Sequence, residues 1–372
     1  MSVYQQRRAT LAEWMAQNGI VMALFSDFED HRDPSVRYFS GHPSDALLAV
    51  FISGAAALCP WDENLAKIMA DVDAIIPFTS FDRHPMTAAK GLARHFGVPS
   101  GCRIEIPAST SYPNFLRYVD SLSDFDVLCR DHGIADVVNG MRAIKDEYEL
   151  SCLRKAAAVT DMLIDTIEKR ITAGSIKTEL DAALLIEKES RAAGCEGTGF
   201  ETLAAGPDRS FAIHCFPAYT AGVFGTAGLS ILDFGVKWKG YTSDVTLTIT
   251  RGQLSDEQEK QLALVELAYK AAAELYKPGE SIAGAAKKAD TIFSKAKRSM
   301  PHALGHGIGL EAHETPSVRS RGDKTAVFAP GMVVTLEPGL YSPVIGGCRL
   351  ENDILITETG NETLTSSRII RL

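Results

Sequence analysis

Three apolar segments in the second half of this chain abut a carboxylate. Asp233 closes Ile231-Leu232, Glu337 closes Val333-Val334-Thr335-Leu336, and Glu351 stands just before Ile354-Leu355-Ile356. Short apolar runs bounded by turn residues read as buried strands. A carboxylate at the edge of such a strand is costly to desolvate unless it is paired or bound to a cation. The second half must therefore fold so that each of these acids meets a partner.

The neighbouring residues narrow what that partner is. Asp233 and Asp244 are 11 positions apart, and the intervening Lys-Trp-Lys-Gly reads as a hairpin turn, which would bring both carboxylates to one end of a strand pair. The segment PHALGHGIGLEAHETP holds His302, His306 and His313, with glycines at 305, 307 and 309 that disfavour a helix and permit close backbone approach to a ligand. Glu337 precedes Pro338-Gly339, a strong turn signal, and Arg349 is placed to support Glu351 from behind. Four carboxylates and an imidazole suit Mn2+, Co2+ or Zn2+ better than thiolate-preferring ions. Two divalent cations would balance four negative charges, and a pair about 3.5–4 Å apart can activate a bridging water.

Length and composition fit this reading. At roughly 100–200 residues per domain, 372 residues suggest two domains. A net charge of −9 without a Lys/Arg-rich run argues against nucleic-acid binding. Seven scattered cysteines, with no CxxC, argue against a disulfide framework and for a reducing, cytoplasmic setting. The N-terminus reads as an amphipathic helix with Leu11, Trp14 and Met15 on one face rather than a signal peptide. The apolar stretch 46–59 is too short to span a bilayer. Strand candidates at 21–26, 46–53 and 73–78, with a helix at 86–97, predict an α/β domain with a parallel or mixed sheet. Capping boxes at Asp146–Glu149 and Ser255–Gln258 predict helices over 147–171 and up to about 276, with further helices at 175–193 and 281–298. Strands fill the intervals. The pattern resembles a duplicated α+β unit, and the predicted domains are 1–138 and 139–372.

The motifs DFG…GYTSD, GHGIGLEAHE, TLEPG and RLEND, preceded by RAIKDEYELSCLRKAA, resemble the pita-bread metallopeptidases, which include Xaa-Pro dipeptidase (prolidase), aminopeptidase P and methionine aminopeptidase. The resemblance runs over about 140–372. Before it, DPSVRYFSGHPSD and the domain size are similar to a creatinase-type N-terminal domain. It implies an α+β chain: a C-terminal pita-bread fold after a smaller α/β domain. It implies that Asp233 chelates one metal, that Asp244 and Glu351 bridge two, and that His306 and Glu337 complete the second. Glu337 would also carry the proton of the nucleophilic water, His313 would bond the scissile carbonyl, and His214 in FAIHCFP would contact substrate, while His302 carries no assigned role. An N-terminal domain of this type caps the cleft in proline-specific members, often that of the partner subunit, which implies a homodimer and a short peptide substrate.

The implied reaction is hydrolysis of Xaa-Pro bonds in dipeptides or short peptides by a metal-bridging hydroxide. The alternative keeps the fold but changes the bond: ectoine-hydrolase- and creatinase-like relatives cleave non-peptide C–N bonds in small amino-acid derivatives, and since creatinases typically lose the metal ligands that are all present here, such a hydrolase would be metal-dependent. Two positions depart from the family pattern. Thr246-Leu247-Thr248 stands where Thr-Arg-Thr is usual, and Arg319 is displaced from the usual place of the arginine that holds the substrate carboxylate.

Overall fold

The computed structural model describes all 372 residues, which divide into two compact units, Met1–Met141 and Arg142–Leu372. The predicted boundary at 138/139 falls inside a helix, Ile134–Ala143, that runs through the point of division.

The first unit runs α1 (Val3–Asn18), β1 (Ile20–Asp27), α2 (Pro34–Ser40), β2 (Ala46–Phe51), β3 (Ala56–Pro60), α3 (Glu63–Met69), β4 (Ala74–Ile75), α4 (Pro85–His95), β5 (Arg103–Glu105), α5 (Tyr112–Ser121), β6 (Asp126–Leu128) and α6 (Ile134–Ala143). Its sheet has the order β4-β3-β2-β1-β5-β6 and is mixed: β1 lies antiparallel to β2 and parallel to β5. Every residue of β2 and β3 is buried, which explains their unbroken apolar character. Helix α4 lays Ala88, Ala89, Leu92 and Ala93 on this sheet. Two expectations shift. The buried face of α1 carries Arg7, Arg8, Leu11, Ala12 and Met15, with Trp14 only half-buried. The strand expected at 73–78 shrinks to Ala74–Ile75, because Pro77 lacks the N–H a ladder needs and a 3-10 turn follows at Phe78–Phe81.

In the second unit, α7 (Glu147–Thr172) and α8 (Glu179–Ala192) precede β7 (Gly197–Thr198), β8 (Leu203–Ala205), β9 (Gly228–Phe234), β10 (Val236–Trp238), β11 (Tyr241–Thr242) and β12 (Val245–Arg251). Then α9 (Asp256–Ala273) and α10 (Ile282–Lys295) precede β13 (Gly305–Gly307), β14 (Glu314–Val318), β15 (Val333–Leu336), β16 (Gly339–Ser342), β17 (Gly346–Arg349), β18 (Asn352–Ile356), β19 (Asn361–Thr363) and β20 (Ile369–Arg371). Both predicted capping boxes form, at Asp146 and Ser255. A third, Thr178 with Asp181, starts α8 at Glu179 rather than at 175.

Each helix pair covers its own sheet. Leu163, Ile164 and Ile167 of α7 and Ile186 of α8 pack on Leu232, Phe234, Val245 and Leu247. Leu262 and Val265 of α9, with Ala285, Ala289 and Phe293 of α10, share a second core with Val334, Leu336, Ile354 and Ile356. These sheets, β20-β12-β9-β8 and β14-β13-β15-β18-β19, are joined by a single bridge between Thr246 and Glu351. The helix pair–strands pattern read twice along the sequence is thus two half-layers meeting at a seam.

Candidate metal centre

The seam collects the acids. Lys239 and Gly240 both have positive φ, 50° and 88°, which closes β10 and β11 in a tight hairpin whose twist suits the flanking strands. Strand β12 then runs back antiparallel to β9, with Thr246 opposite Asp233. Since side chains two apart share a face, Asp244 and Thr246 lie on the same side as Asp233. On the other half, Glu337 follows β15 with its N–H on the Leu304 carbonyl at 2.8 Å, and Glu351 links β17 to β18. His306 is the centre of β13, where the flanking glycines are required by space. A Cβ on Gly305 would lie 2.0 Å from the Thr335 carbonyl oxygen, and one on Gly307 2.2 Å from that of Thr315.

Ligand atoms of Asp244, His306 and Glu351 come within 4.8 Å of one another. His306 Nε2 is 3.4 Å from Glu337 Oε1 and 3.9 Å from Asp244 Oδ2. Its Nδ1 donates to the Gly307 carbonyl at 3.1 Å, which leaves the Nε2 lone pair facing the carboxylates. Burial, with His313 adding to it, lowers the His306 pKa to about 4, so the ring is neutral at pH 7. Asp233 Oδ2 takes Arg349 Nη2 at 2.6 Å, while its Oδ1 is buried with no hydrogen-bond partner.

Arg349 organises the back of the cluster. It reaches Thr246 Oγ1 at 2.8 Å, Tyr341 Oη at 2.8 Å and the Ile213 carbonyl at 3.1 Å. The Thr246 hydroxyl in turn donates to Glu351 Oε2 at 2.6 Å. Burial works against the Arg349 charge, but Tyr341, Asp233, Glu351 and Glu337 more than offset it.

One guanidinium cannot balance these acids. Burial and the neighbouring Glu351 raise Asp244 and Glu337 well above the usual carboxylate range, and burial with Asp233 lifts Glu351 to about 7. An imidazole lone pair and an orphaned carboxylate oxygen facing buried acids make sense only with positive charge between them. The donor set is oxygen-rich with one nitrogen, which fits hard to intermediate divalent cations.

Of the other expected residues, His313 lies against His306, ring centroids 4.2 Å apart, and is exposed. His214 is exposed on the loop that follows the residue bonded to Arg349. Arg319 is exposed and lines a separate cleft with His302, Ala303 and Leu304. His302, left without a role, is 3.6 Å from Glu337 and accepts from Tyr341 Oη at 3.0 Å. Three participants were not expected from sequence. Asp353, on the same strand face as Glu351, takes the Asp244 N–H at 3.0 Å, and strand alternation could have found it. Thr246 and Tyr341 carry no such signal. Behind His313, Glu314 is buried between Arg142 at 2.5 Å and Lys145 at 3.0 Å.

Residues 151–358 match metallopeptidase family M24, more than half of the chain, and the chain belongs to that family. It is 30% identical to an Xaa-Pro dipeptidase of Pyrococcus horikoshii over 378 aligned positions, covering 99% of both chains. Among solved structures it is similar to an X-Pro aminopeptidase from Thermotoga maritima, with TM-score 0.85 and 26% identity, covering 98% of this chain and 99% of the other. A prolidase from Pyrococcus horikoshii gives TM-score 0.82 and 27% identity, with the same coverage. The chain is a metallopeptidase with the pita-bread fold.

Proposed function

We propose that this metallopeptidase hydrolyses Xaa-Pro bonds at the N-terminus of dipeptides or short peptides. The observation that carries the reading is the seam itself, where donors of Asp244, His306 and Glu351 converge within 4.8 Å beside an unpartnered Asp233 oxygen. The full-length similarity to an Xaa-Pro dipeptidase supports the substrate class. Asp233, Asp244, His306, Glu337 and Glu351 would hold two divalent cations, Mn2+ or Co2+ in preference to Zn2+. Such a pair, when bound, supplies an acidified water and charge to stabilise a tetrahedral oxyanion.

The chain's own groups do the rest. Glu337, buried with Oε1 3.4 Å from His306 Nε2, takes and returns the proton between nucleophile and leaving nitrogen. His313 presents an exposed ring edge beside His306 and donates to the scissile carbonyl. His214 contacts the substrate, and Arg319 is the candidate partner for its carboxylate. The active form is a cytoplasmic homodimer in this reading. Seven free cysteines fit a reducing setting, and no helix is long and apolar enough to cross a membrane.

The test is a hydrolysis panel of Xaa-Pro dipeptides, Xaa-Pro-Yaa tripeptides, non-proline dipeptides and cyclic amino-acid derivatives, each with Mn2+, Co2+ and Zn2+. Turnover confined to proline-containing peptides is expected. Preference for a cyclic derivative over every peptide would overturn the assignment.

A further inference from the structure

We infer that Glu179 is a positioning residue that fixes the loop from Gly206 to Gly222 and so sets where His214 stands; the inference rests on the reading of His214 as a substrate contact. Glu179 is the first residue of α8, behind the N-cap Thr178. A first-turn carboxylate ordinarily faces water near the helix N-terminus. This one is 1% exposed. It takes the Gly206 N–H on Oε1 at 2.8 Å. Its Oε2 takes the Thr220 N–H at 2.8 Å, the Thr220 hydroxyl at 2.7 Å and the Arg209 guanidinium. Every one of these donors belongs to the same irregular loop, and they come from both of its ends.

The rest of the loop is held from the other side. Arg209 also donates to the Pro217 carbonyl. Ser210 Oγ accepts the Gly347 N–H at 3.1 Å, and the Ile213 carbonyl accepts from Arg349 at 3.1 Å. Arg349 in turn grips Asp233. His214 therefore stands one residue beyond a tie to the metal centre, on a loop whose two ends close on one carboxylate. Around it, Cys215 is buried while His214 and Phe216 are exposed. Without the carboxylate, the ties at Ser210 and Ile213 and the backbone bonds at Ala218, Thr220 and Gly222 would remain, but Gly206 and Arg209 would lose their anchor, and with it the path of the chain toward His214 would loosen. Such misplacement, on the order of 1 Å, costs up to about 100-fold in rate.

Glu179→Gln keeps the shape and changes the chemistry. Whichever way the amide is turned, an NH2 replaces an acceptor, so one end of the loop loses its bond. Two measurements on the metal-loaded, full-length enzyme decide the matter. The first is a double-mutant cycle on an Xaa-Pro dipeptide. Glu179→Gln is expected to lower kcat/KM by about 10- to 100-fold with metal content unchanged, and to have almost no effect in a His214→Ala background. Equal factors in the two backgrounds would show Glu179 to be merely structural and overturn the proposal. A His214→Ala enzyme as active as wild type would sink the substrate role of His214 and this inference with it.

The second measurement does not need turnover. In the diamagnetic Zn2+-loaded enzyme, the His214 Cε1–H resonance, assigned by its loss in His214→Ala, should shift in Glu179→Gln while that of His313 stays in place. An unmoved His214 signal overturns the proposal even if the substrate class is right. Should Glu179→Gln fail to fold, Thr220→Val removes the hydroxyl that donates to Glu179 at 2.7 Å and accepts the Gly222 N–H at 2.9 Å. It should give a smaller loss and a smaller shift of the same resonance, and no shift would again refute the clasp.

Discussion

Glu314→Gln removes a negative charge from between two buried cations. The side chains of Glu314, Arg142 and Lys145 are 4%, 6% and 0% exposed, so water cannot take over the charge that is lost. Burial tends to raise the Glu314 pKa, but Lys145 and Arg142 hold it below its usual value, so the carboxylate is ionised at neutral pH. In the variant one amide oxygen remains, which can accept from Arg142 or from Lys145 but not from both; Lys145 otherwise keeps the Arg142 carbonyl at 2.7 Å, and Arg142 keeps Glu311 at 2.8 Å. Breaking a buried pair costs about 3–5 kcal/mol. The surviving Glu311 contact places this case near the lower figure, about 3 kcal/mol. For a unit the size of Arg142–Leu372, roughly 2–4 °C per kcal/mol gives a fall in Tm of about 6–12 °C. Differential scanning calorimetry at pH 7 on metal-loaded protein reads it directly. A pH series adds a sign. The folded pKa is depressed, so the contribution of Glu314 is present above 4.5 and is lost as pH falls through the folded value. Wild type should therefore show an acid limb that the variant lacks. A Tm within about 2 °C of wild type at pH 7 would refute the reasoning, since even surface ion pairs reach that size.

Other outcomes follow from the seam. In chelator-treated protein, Glu351 titrates near 7, above its ordinary 4.5, so folding binds protons there; stability should rise as pH falls from about 7 toward 4.5, and thermal melts that fall with acid over that window would contradict it. Adding back Mn2+ at about 100 times its Kd should stabilise by about 2.7 kcal/mol at pH 7.5, read as a concentration-dependent Tm. Asp244→Ala should abolish turnover and lower bound metal while circular dichroism stays native; retained activity would remove Asp244 from the site. His313→Ala should lower turnover by about 100-fold, in line with loss of one oxyanion donor, at full metal content, and a parallel loss of metal would make it a ligand. Gly307→Ala should fail to fold or bind metal, because its Cβ would sit 2.2 Å from the Thr315 oxygen; a stable, metal-loaded variant would show that β14 can yield.

What could be read in the sequence was what leaves a local trace. Charge beside an apolar strand marked Asp233, Glu337 and Glu351, and the glycines flanking His306 spoke against a helix, although what approaches them is the backbone of Thr335 and Thr315 rather than a ligand. Capping residues at Asp146 and Ser255 fixed two helix starts. The clasp of Glu179 left no trace, because a glutamate at the first turn of a helix is ordinary and only the fold buries it. Glu314 lies 172 positions from Arg142 and 169 from Lys145, and the three come together through the approach of β14 to the start of α7. Tyr341 likewise gains its part from pairing with Gly347 across a hairpin. The strand lost after Ile75 shows the converse, where Pro77 outweighed an apolar pattern.

The bridge between Thr246 and Glu351 has a developmental meaning for the nascent molecule. Asp233 and Asp244 come from the earlier half-layer, and His306, Glu337 and Glu351 from the later one, each with a separate interior. On the proposed ligand set, neither half alone would hold enough donors for a cation pair. A chain still emerging from the ribosome would, on that set, lack a complete site until its last strands arrive, and ions seated there would add to the bonds that Arg349, Thr246 and Asp353 already make between the two halves.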